Sequence, residues 1–337
     1  MSGNMKRVAV VGASGAVGSE IIRCLEKRNF PLDSLRCFTS PRSVGQSFSY
    51  NGTQIPFELL TQEALDACDI VFMAAGSSVS KEWIPKIPKA FCIDSSSAFR
   101  KQVPLIIPEI NADAMRGHRI VSSPNCVATV LLMPLAPLHK LFKAKRIILS
   151  SYQAASGAGA YLVKHLEEET KAHLAGLSIP SPLAHPYAFN LYTHNSPLFD
   201  CGYVDEEIKV GEETRKILGD NSIALSATCV RVPVLRSHSI SANIEFRNPF
   251  KLEEAIEAIR SMPGVIYFED RLTNRFATPF DTNNKDEIFV GRLRIDKTQP
   301  NTLELWAVGD QLLKGAALNA VQIAESLELA SSLPANT

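Results

Sequence analysis

One cysteine in this chain has neighbours that suit it to chemistry. Cys126 follows Ser122-Ser123-Pro124-Asn125 and precedes the apolar run Val127-Ala128-Thr129-Val130-Leu131-Leu132. Asn125 has the residue type of a helix N-cap, which places Cys126 in the first turn, where amide dipoles stabilise a thiolate. The structural alternative is a buried packing cysteine. Of the remaining six, Cys24, Cys37, Cys68, Cys92, Cys201 and Cys229, most fall on apolar strands and helices and are expected to pack in the core. No CxxC occurs and the number is odd, so free thiols in a reducing compartment are expected, with no disulfide framework and no metal.

A second signal lies near the start. The run Gly12-Ala13-Ser14-Gly15-Ala16-Val17-Gly18 follows a compact apolar strand, Arg7 to Val11, and opens a helix expected from 19 to about 28. Small residues there allow a tight turn and bring backbone amides up to a pyrophosphate. After the next strand, near Leu35–Phe38, stands Thr39-Ser40-Pro41-Arg42-Ser43, where an NAD-selective site carries Asp or Glu. A guanidinium at Arg42 with the hydroxyls of Ser40 and Ser43 suits a ribose 2′-phosphate, so NADP(H) is the expected cofactor. An exposed polar turn is the alternative. A thiol beside a nicotinamide predicts one reaction type. The thiolate adds to an aldehyde, hydride departs to NADP⁺, and phosphate or water attacks the resulting thioester; in reverse an acyl phosphate is reduced.

The remaining groups come from Thr228-Cys229-Val230-Arg231-Val232-Pro233-Val234 and from His238 beyond it. Period-two geometry is expected to bury Val230, Val232 and Val234 and to present Arg231 on the opposite face. Arg231 is read as a carboxylate receptor and His238 as a general acid/base, exchanging protons with the thiol and then with a tetrahedral intermediate. The structural alternatives are a surface ion pair for Arg231 and a strand-end hydrogen bond for His238.

These groups need a scaffold, and the chain has ample length for one. Its 337 residues carry 35 Lys+Arg against 35 Asp+Glu, 45% are hydrophobic, and no basic block stands out. A nucleic-acid partner is therefore not expected. The longest apolar run, Cys126 to Leu138, is broken by Pro134 and Pro137 and is too short to span a bilayer. Residues 8–18 resemble a signal-peptide core only weakly, and their glycines favour the nucleotide loop. A cytoplasmic location without membrane attachment is expected.

Short apolar strands at Ile70–Ala74, Phe91–Asp94 and Ile120–Ser122, separated by helices, predict a parallel sheet covered on both faces. Pro85 and Pro88 argue for short or broken helices over 77–88. After Cys126 the strands lengthen and alternate: Ile147–Ser151, Ser226–Val234, Ser239–Glu245, Ile288–Asp296 and Thr302–Val308. Helices are expected near Tyr161–Ala172, Lys209–Leu218, Leu252–Ser261 and Gly315–Leu329. The expected fold is α/β: a Rossmann-type parallel-sheet domain, residues 1–126 plus 315–337, and a second mixed α+β catalytic and dimerisation domain, residues 127–314. One face of the second sheet is expected to be open to solvent or an interface.

Taken in order, the motifs GASGAVG (12–18), SPRS (40–43), DSSSAFR (94–100), SSPNC (122–126), YQAASGAG (152–159), EEIK (206–209), CVRVPVLRSHS (229–239) and GAALNAVQIAE (315–325) resemble the aspartate-β-semialdehyde dehydrogenase family over almost the whole chain. The resemblance implies NADPH-dependent reductive dephosphorylation of L-4-aspartyl phosphate to L-aspartate 4-semialdehyde, feeding lysine and diaminopimelate, threonine and methionine synthesis. It implies Cys126 as nucleophile, His238 as acid/base and Gln153 as the residue orienting the acyl intermediate. Arg231 would hold the substrate α-carboxylate, Glu207 its ammonium, and Arg100, Asn125 and Lys209 the phosphate. Gly157 and Asn319 would join the glycine-rich loop and 40–43 in binding cofactor. A homodimer or homotetramer is implied. One departure is Val127, where the family often has a small hydroxyl residue.

Three other readings compete. An N-acetyl-glutamyl-phosphate reductase has little use for a carboxylate such as Glu207, since its substrate's amine is acetylated, and it favours PGC over PNC. A glyceraldehyde-3-phosphate dehydrogenase would show an SCTTN-like segment, which is absent. A non-catalytic dinucleotide-binding protein would bind NADP without turnover.

Overall fold

The computed structural model describes residues 5–177 and 181–331, with side chains to 327. Residues 332–337, the end of the segment expected to join the nucleotide domain, lie outside the described residues. The chain forms two compact bodies, one running to Pro124 and resuming at Ala316, the other spanning Asn125–Gly315.

The first body contains β1 (Lys6–Val11), α1 (Ala16–Lys27), β2 (Leu32–Thr39), β3 (Ser47–Tyr50), β4 (Thr53–Leu59), α2 (Gln62–Asp66), β5 (Ile70–Met73), α3 (Ser77–Trp83), β6 (Phe91–Asp94), α4 (Pro108–Asn111) and β7 (Ile120–Ser122). The sheet runs β3-β4-β2-β1-β5-β6-β7. Every pairing is parallel except β3 with β4. Strand β5 is buried throughout and β1 from Val8 onward, as a parallel sheet covered on both faces requires. Strand order reverses at β1, which pairs with β2 on one side and β5 on the other. The glycine-rich loop leaves β1 at this switch point, where doubly wound sheets bind their ligands. This is the Rossmann-type sheet that the strand pattern predicts. The proline-containing stretch after α3 is indeed a single turn of 3₁₀ helix, Ile84–Lys86.

The β3–β4 hairpin was not anticipated. Its turn, Asn51-Gly52, takes positive φ at both residues (47° and 76°), which matches the twist of paired strands.

The second body opens with α5 (Cys126–Phe142) and β8 (Ala144–Gln153), followed by α6 (Ala160–Leu174), β9 (Tyr192–Thr193), α7 (Asp205–Leu218), β10 (Ala224–Arg231), β11 (His238–Phe246) and α8 (Leu252–Arg260). It continues through β12 (Val265–Tyr267), a two-stranded ribbon of β13 (Glu269–Asp270) and β14 (Arg275–Phe276), α9 (Pro279–Thr282), β15 (Ile288–Ile295) and β16 (Thr302–Gly309). A π-helical turn, Leu313–Ala317, precedes α10 (Leu318–Ser331), whose described part packs on α1. The large mixed sheet runs β12-β15-β16-β11-β8-β10-β9.

Alternation along β8 buries Ile147, Leu149, Ser151 and Gln153 and leaves Ile148, Ser150 and Tyr152 more open. On that second face the Tyr152 and Trp306 rings meet in a tilted contact, centroids 5.7 Å apart. The face is the half-open one that the alternating strands predict. No helix among the described residues is long and apolar enough to cross a membrane.

Candidate active site

In the first body the glycine-rich loop is shaped by contacts that exclude a side chain. Gly12 has φ +91°, and a Cβ on it would lie 2.7 Å from the Ala74 backbone. A Cβ on Gly18 would collide with the Gly12 carbonyl, so α1 can seat its first turn against the loop only with glycine there. The loop therefore fits a dinucleotide pyrophosphate on geometric grounds. The Ser14 and Thr39 hydroxyls hydrogen-bond each other, tying the loop to the end of β2. Directly after β2 come Ser40, Arg42 and Ser43, of which Ser40 and Arg42 are exposed.

Arg100 lies beyond β6 in a turn built on Asp94. The buried Asp94 carboxylate accepts from Ser80 Oγ (2.9 Å), Ser96 N (2.9 Å) and Ser96 Oγ (3.0 Å). Arg100 donates to the Ser123 carbonyl through Nε (3.1 Å) and to the Ser95 carbonyl through Nη2 (3.4 Å). Asn319 is fully buried, and its Nδ2 donates to Ile106 O and Ser123 Oγ, both at 2.9 Å.

In the second body Cys126 is the first residue of α5, as expected from its cap. Asn125 Oδ1 accepts from Val127 N (2.8 Å) and Ala128 N (3.2 Å). Thr129 Oγ1 donates to the Asn125 carbonyl at 3.0 Å. Cys126 is partly exposed, whereas Cys24, Cys37, Cys68, Cys92 and Cys229 are buried and Cys201 is exposed. Burial pushes the thiols of Cys37, Cys92 and Cys229 up to about 12, which leaves them inert packing groups. Among the described residues no cluster of His, Cys, Asp and Glu could hold a metal ion.

Three other expected site residues meet at one end of the mixed sheet. Gln153 ends β8, Arg231 ends the parallel strand β10 opposite it, and His238 begins β11 on the other side of β8. All three are buried. The face assignment of Arg231 needs correction. Ala227, Cys229 and Arg231 form the buried face of β10, while Val230 and Val232 are only half-buried. The alternation is present with the opposite sense, because α7 packs against β10 and hydrophobicity alone does not say which face it covers. The surface ion pair is thereby excluded: Arg231 is 4% exposed and has no carboxylate partner among the described residues.

Ala154, the residue after β8, connects these groups. Its N–H donates to His238 Nδ1 at 3.0 Å, and its carbonyl accepts from Arg231 Nη1 at 3.1 Å. Since Nδ1 accepts, the neutral His238 ring carries its proton on Nε2. Nε2 is buried without a hydrogen-bond partner among the described residues, and so is Arg231 Nε. Complete burial, then the charge of Arg231 and the nearby His194, hold the His238 pKa well below its ordinary range. Gly157 lies against both groups: a Cβ there would stand 2.9 Å from His238 Cε1 and 3.0 Å from Arg231 Nη1. Gln153 Nε2 donates to Ser151 Oγ at 3.2 Å.

Helix α7 carries the remaining acidic and basic candidates. It begins four residues before the expected Lys209, so Glu206 and Glu207 lie in its first turn. Glu207 accepts from Val204 N (3.0 Å) and from Cys229 N (2.9 Å), one bond to each carboxylate oxygen. Glu206 instead accepts from Asn125 Nδ2 at 2.8 Å, and the buried Glu213 accepts from Asn125 N. Lys209 is ion-paired with Asp205 one turn away.

Several residues around the site had not been singled out. His194, just after β9, accepts from Arg231 at 2.8 Å. Ser237, immediately before His238, is fully buried at φ +77° and donates its N–H to Gln311 Oε1 (2.8 Å). Arg236 pairs at 2.6 Å with the buried Asp310. A side chain at Gly315 would meet Cys126 Cβ at 3.1 Å. Arg236, Ser237 and Gly315 fall within the motifs at 229–239 and 315–325, but their contacts, like that of His194, are to residues distant in the chain and are not legible from those motifs.

Comparisons with known proteins bear on the family and the fold. Residues 7–118 match the family model of the semialdehyde dehydrogenase NAD binding domain, and residues 135–314 that of the semialdehyde dehydrogenase dimerisation domain. The aspartate-semialdehyde dehydrogenase of Synechocystis sp. is 46% identical over 328 residues, covering 95% of this chain and 97% of that one. The Aquifex aeolicus enzyme of the same name is 41% identical over 331 residues, with 95% and 97% covered. Among solved structures, aspartate semialdehyde dehydrogenase II from Vibrio cholerae, complexed with ASA, superposes with a TM-score of 0.94 at 33% identity, covering 97% of this chain and 99% of that one.

Proposed function

Because this chain belongs to the aspartate-semialdehyde dehydrogenase family, we propose that it interconverts L-4-aspartyl phosphate and L-aspartate 4-semialdehyde through a thioester on Cys126, with NADP(H) as its redox partner. The observation that carries the reading is the buried Arg231 guanidinium. It has no carboxylate partner among the described residues and an unpaired Nε, and it shares Ala154 with a His238 whose Nε2 is also unpaired. A buried, uncompensated guanidinium is costly unless an anion completes it. The substrate's α-carboxylate supplies that anion.

In the biosynthetic direction Cys126 Sγ attacks the acyl phosphate carbon, the acyl–oxygen bond breaks, and phosphate leaves. Gln153 holds the acyl oxygen in place. His238 presents Nε2–H to the oxyanion that forms on reduction and holds the proton there. Bound NADPH supplies the hydride. Arg100, Asn125 and Lys209 receive the phosphate, and the first-turn acid of α7 receives the ammonium. Both Glu207 oxygens already accept backbone N–H groups, so we assign the ammonium to Glu206, which lies against Asn125.

The cofactor is assigned to residues 12–18, Ser40, Arg42 and Ser43, together with Gly157 and Asn319. The exposed Arg42 in place of an acidic residue after β2 supports NADP over NAD. A cytoplasmic homodimer or homotetramer, associated through the half-open face around Tyr152 and Trp306, completes the reading.

The test follows nicotinamide absorbance with L-aspartate 4-semialdehyde, NADP⁺ or NAD⁺, and with or without inorganic phosphate. Phosphate-dependent turnover that is absent in Cys126→Ser is expected. Turnover of N-acetylglutamate semialdehyde in preference would overturn the substrate, and cofactor binding without turnover would overturn the enzyme reading.

A further inference from the structure

His194 stands where a carboxylate would ordinarily be found. The short strand β9 pairs with the end of β10, Tyr192 opposite Arg231, and the His194 N–H donates to the Cys229 carbonyl at 2.8 Å. This brings the imidazole against the guanidinium. Arg231 Nη2 lies 2.8 Å from His194 Nε2. A guanidinium only donates, so Nε2 must carry the ring's lone pair. Ser196 N lies 3.2 Å from Nδ1, so both ring nitrogens face N–H donors although a neutral imidazole has one lone pair. The shorter, charge-assisted contact takes it.

We propose that His194 is a positioning residue that orients Arg231 without neutralising it, keeping the guanidinium charge available for the substrate's α-carboxylate. The inference rests on the carboxylate-receptor reading of Arg231. An Asp or Glu in this place would hold the guanidinium equally well, but it would compete with the substrate for the charge. A neutral acceptor fixes the fork's direction and leaves Nε open, which is the state observed. The imidazole must stay uncharged for this. Burial and the adjacent Arg231 push its pKa down to about 4, against the opposing pull of Glu206 and Glu207 from α7. Lys209 on the same helix adds to the lowering, and His238 on β11 also interacts with the ring.

Steady-state kinetics of three His194 variants test this, with L-aspartate 4-semialdehyde and with 3-aminopropanal, the same aldehyde without its carboxylate. Loss of one hydrogen bond to a charged group predicts that H194A raises KM for the semialdehyde roughly tenfold, with kcat changed less than about threefold. H194Q, whose amide oxygen can accept the same bond, should restore KM. H194E should raise KM further than H194A. H194A and H194Q should change KM for 3-aminopropanal much less than KM for the semialdehyde. Equal effects on both aldehydes, or an unmoved KM in H194A and H194E, would overturn the proposal. If H194A folds poorly, the similarly sized H194Q and H194E carry the comparison. Arg231→Ala serves as the separate control: an unmoved semialdehyde KM there would overturn the carboxylate reading of Arg231 itself.

Discussion

Arg231 and His238 hang from opposite sides of one residue. The Ala154 carbonyl accepts from the guanidinium and the Ala154 N–H donates to the imidazole, so the spacing of the two groups is set by a single residue at the end of β8. Each side chain keeps one polar atom, Arg231 Nε and His238 Nε2, buried without a partner among the described residues. Buried polar groups are rarely left unpaired unless a ligand is to meet them. On the proposed function, the bonds to Ala154 leave these two atoms to the substrate.

Gly157 keeps these two groups in place by having no side chain. A Cβ there would approach His238 and Arg231 to about 3 Å, and neither can retreat without losing its bond to Ala154. Gly157→Ala should therefore lower kcat/KM by roughly a hundredfold, as expected for a small misplacement of reacting groups. Assay beside a thermal melt checks this; wild-type turnover in the variant would refute it.

Glu206 and Glu207 are adjacent but differently committed. Glu206→Gln should raise KM for the semialdehyde by roughly tenfold, the scale of a bond to a charged group, with little change in melting temperature. Glu207→Gln should weaken the two backbone bonds that anchor α7 to Val204 and Cys229, and so lower the melting temperature more than KM. The reverse pattern would return the ammonium to Glu207.

Thiol labelling of the native protein separates the seven cysteines. Alkylation followed by peptide mapping should modify Cys126 and Cys201 first, because Cys126 is partly exposed and Cys201 exposed. Cys37, Cys92 and Cys229, with thiols near 12, should react only after unfolding. Substrate should protect Cys126 and leave Cys201 reactive.

Stability should fall on acidification through the histidine range. His139, His194 and His238 all have folded pKa values below their ordinary 6.5, with burial as the largest cause. Below about pH 6.5 the unfolded chain binds protons that the folded chain refuses, so folding stability is complete above that pH and is lost as pH falls toward the folded values. Melting temperature measured from pH 7 to pH 5 should decline, and His238→Asn should make the decline shallower. An equal slope in wild type and variant would remove His238 from this linkage.

Much of the scaffold was readable from short-range chemistry. Asn125 before an apolar run announced the cap that places Cys126, and the β1 loop announced itself by glycines where Ala74 and the Gly12 carbonyl leave no room for a Cβ. The strand pattern predicted both the doubly wound sheet and the half-open mixed sheet. The Asn51-Gly52 turn carries a hairpin signal of the same short range. Arg231 was harder. Alternation along β10 says that two faces differ, but Val230 and Val232 are more hydrophobic than the Ala227-Cys229-Arg231 face that is buried.

By itself, the sequence determined the family, the place of Cys126 at a helix start and the glycine-rich turn after β1, because caps, turns and strand periods are decided within a few residues. The tertiary structure alone decided that Arg231 is buried, that Ala154 joins it to His238, that His194 rather than a carboxylate faces it, and that Glu206 rather than Glu207 faces Asn125. Those outcomes depend on what crosses over from β8, β9 and α7. Burial and hydrogen-bond partnership between distant segments leave no periodic trace in the chain that makes them.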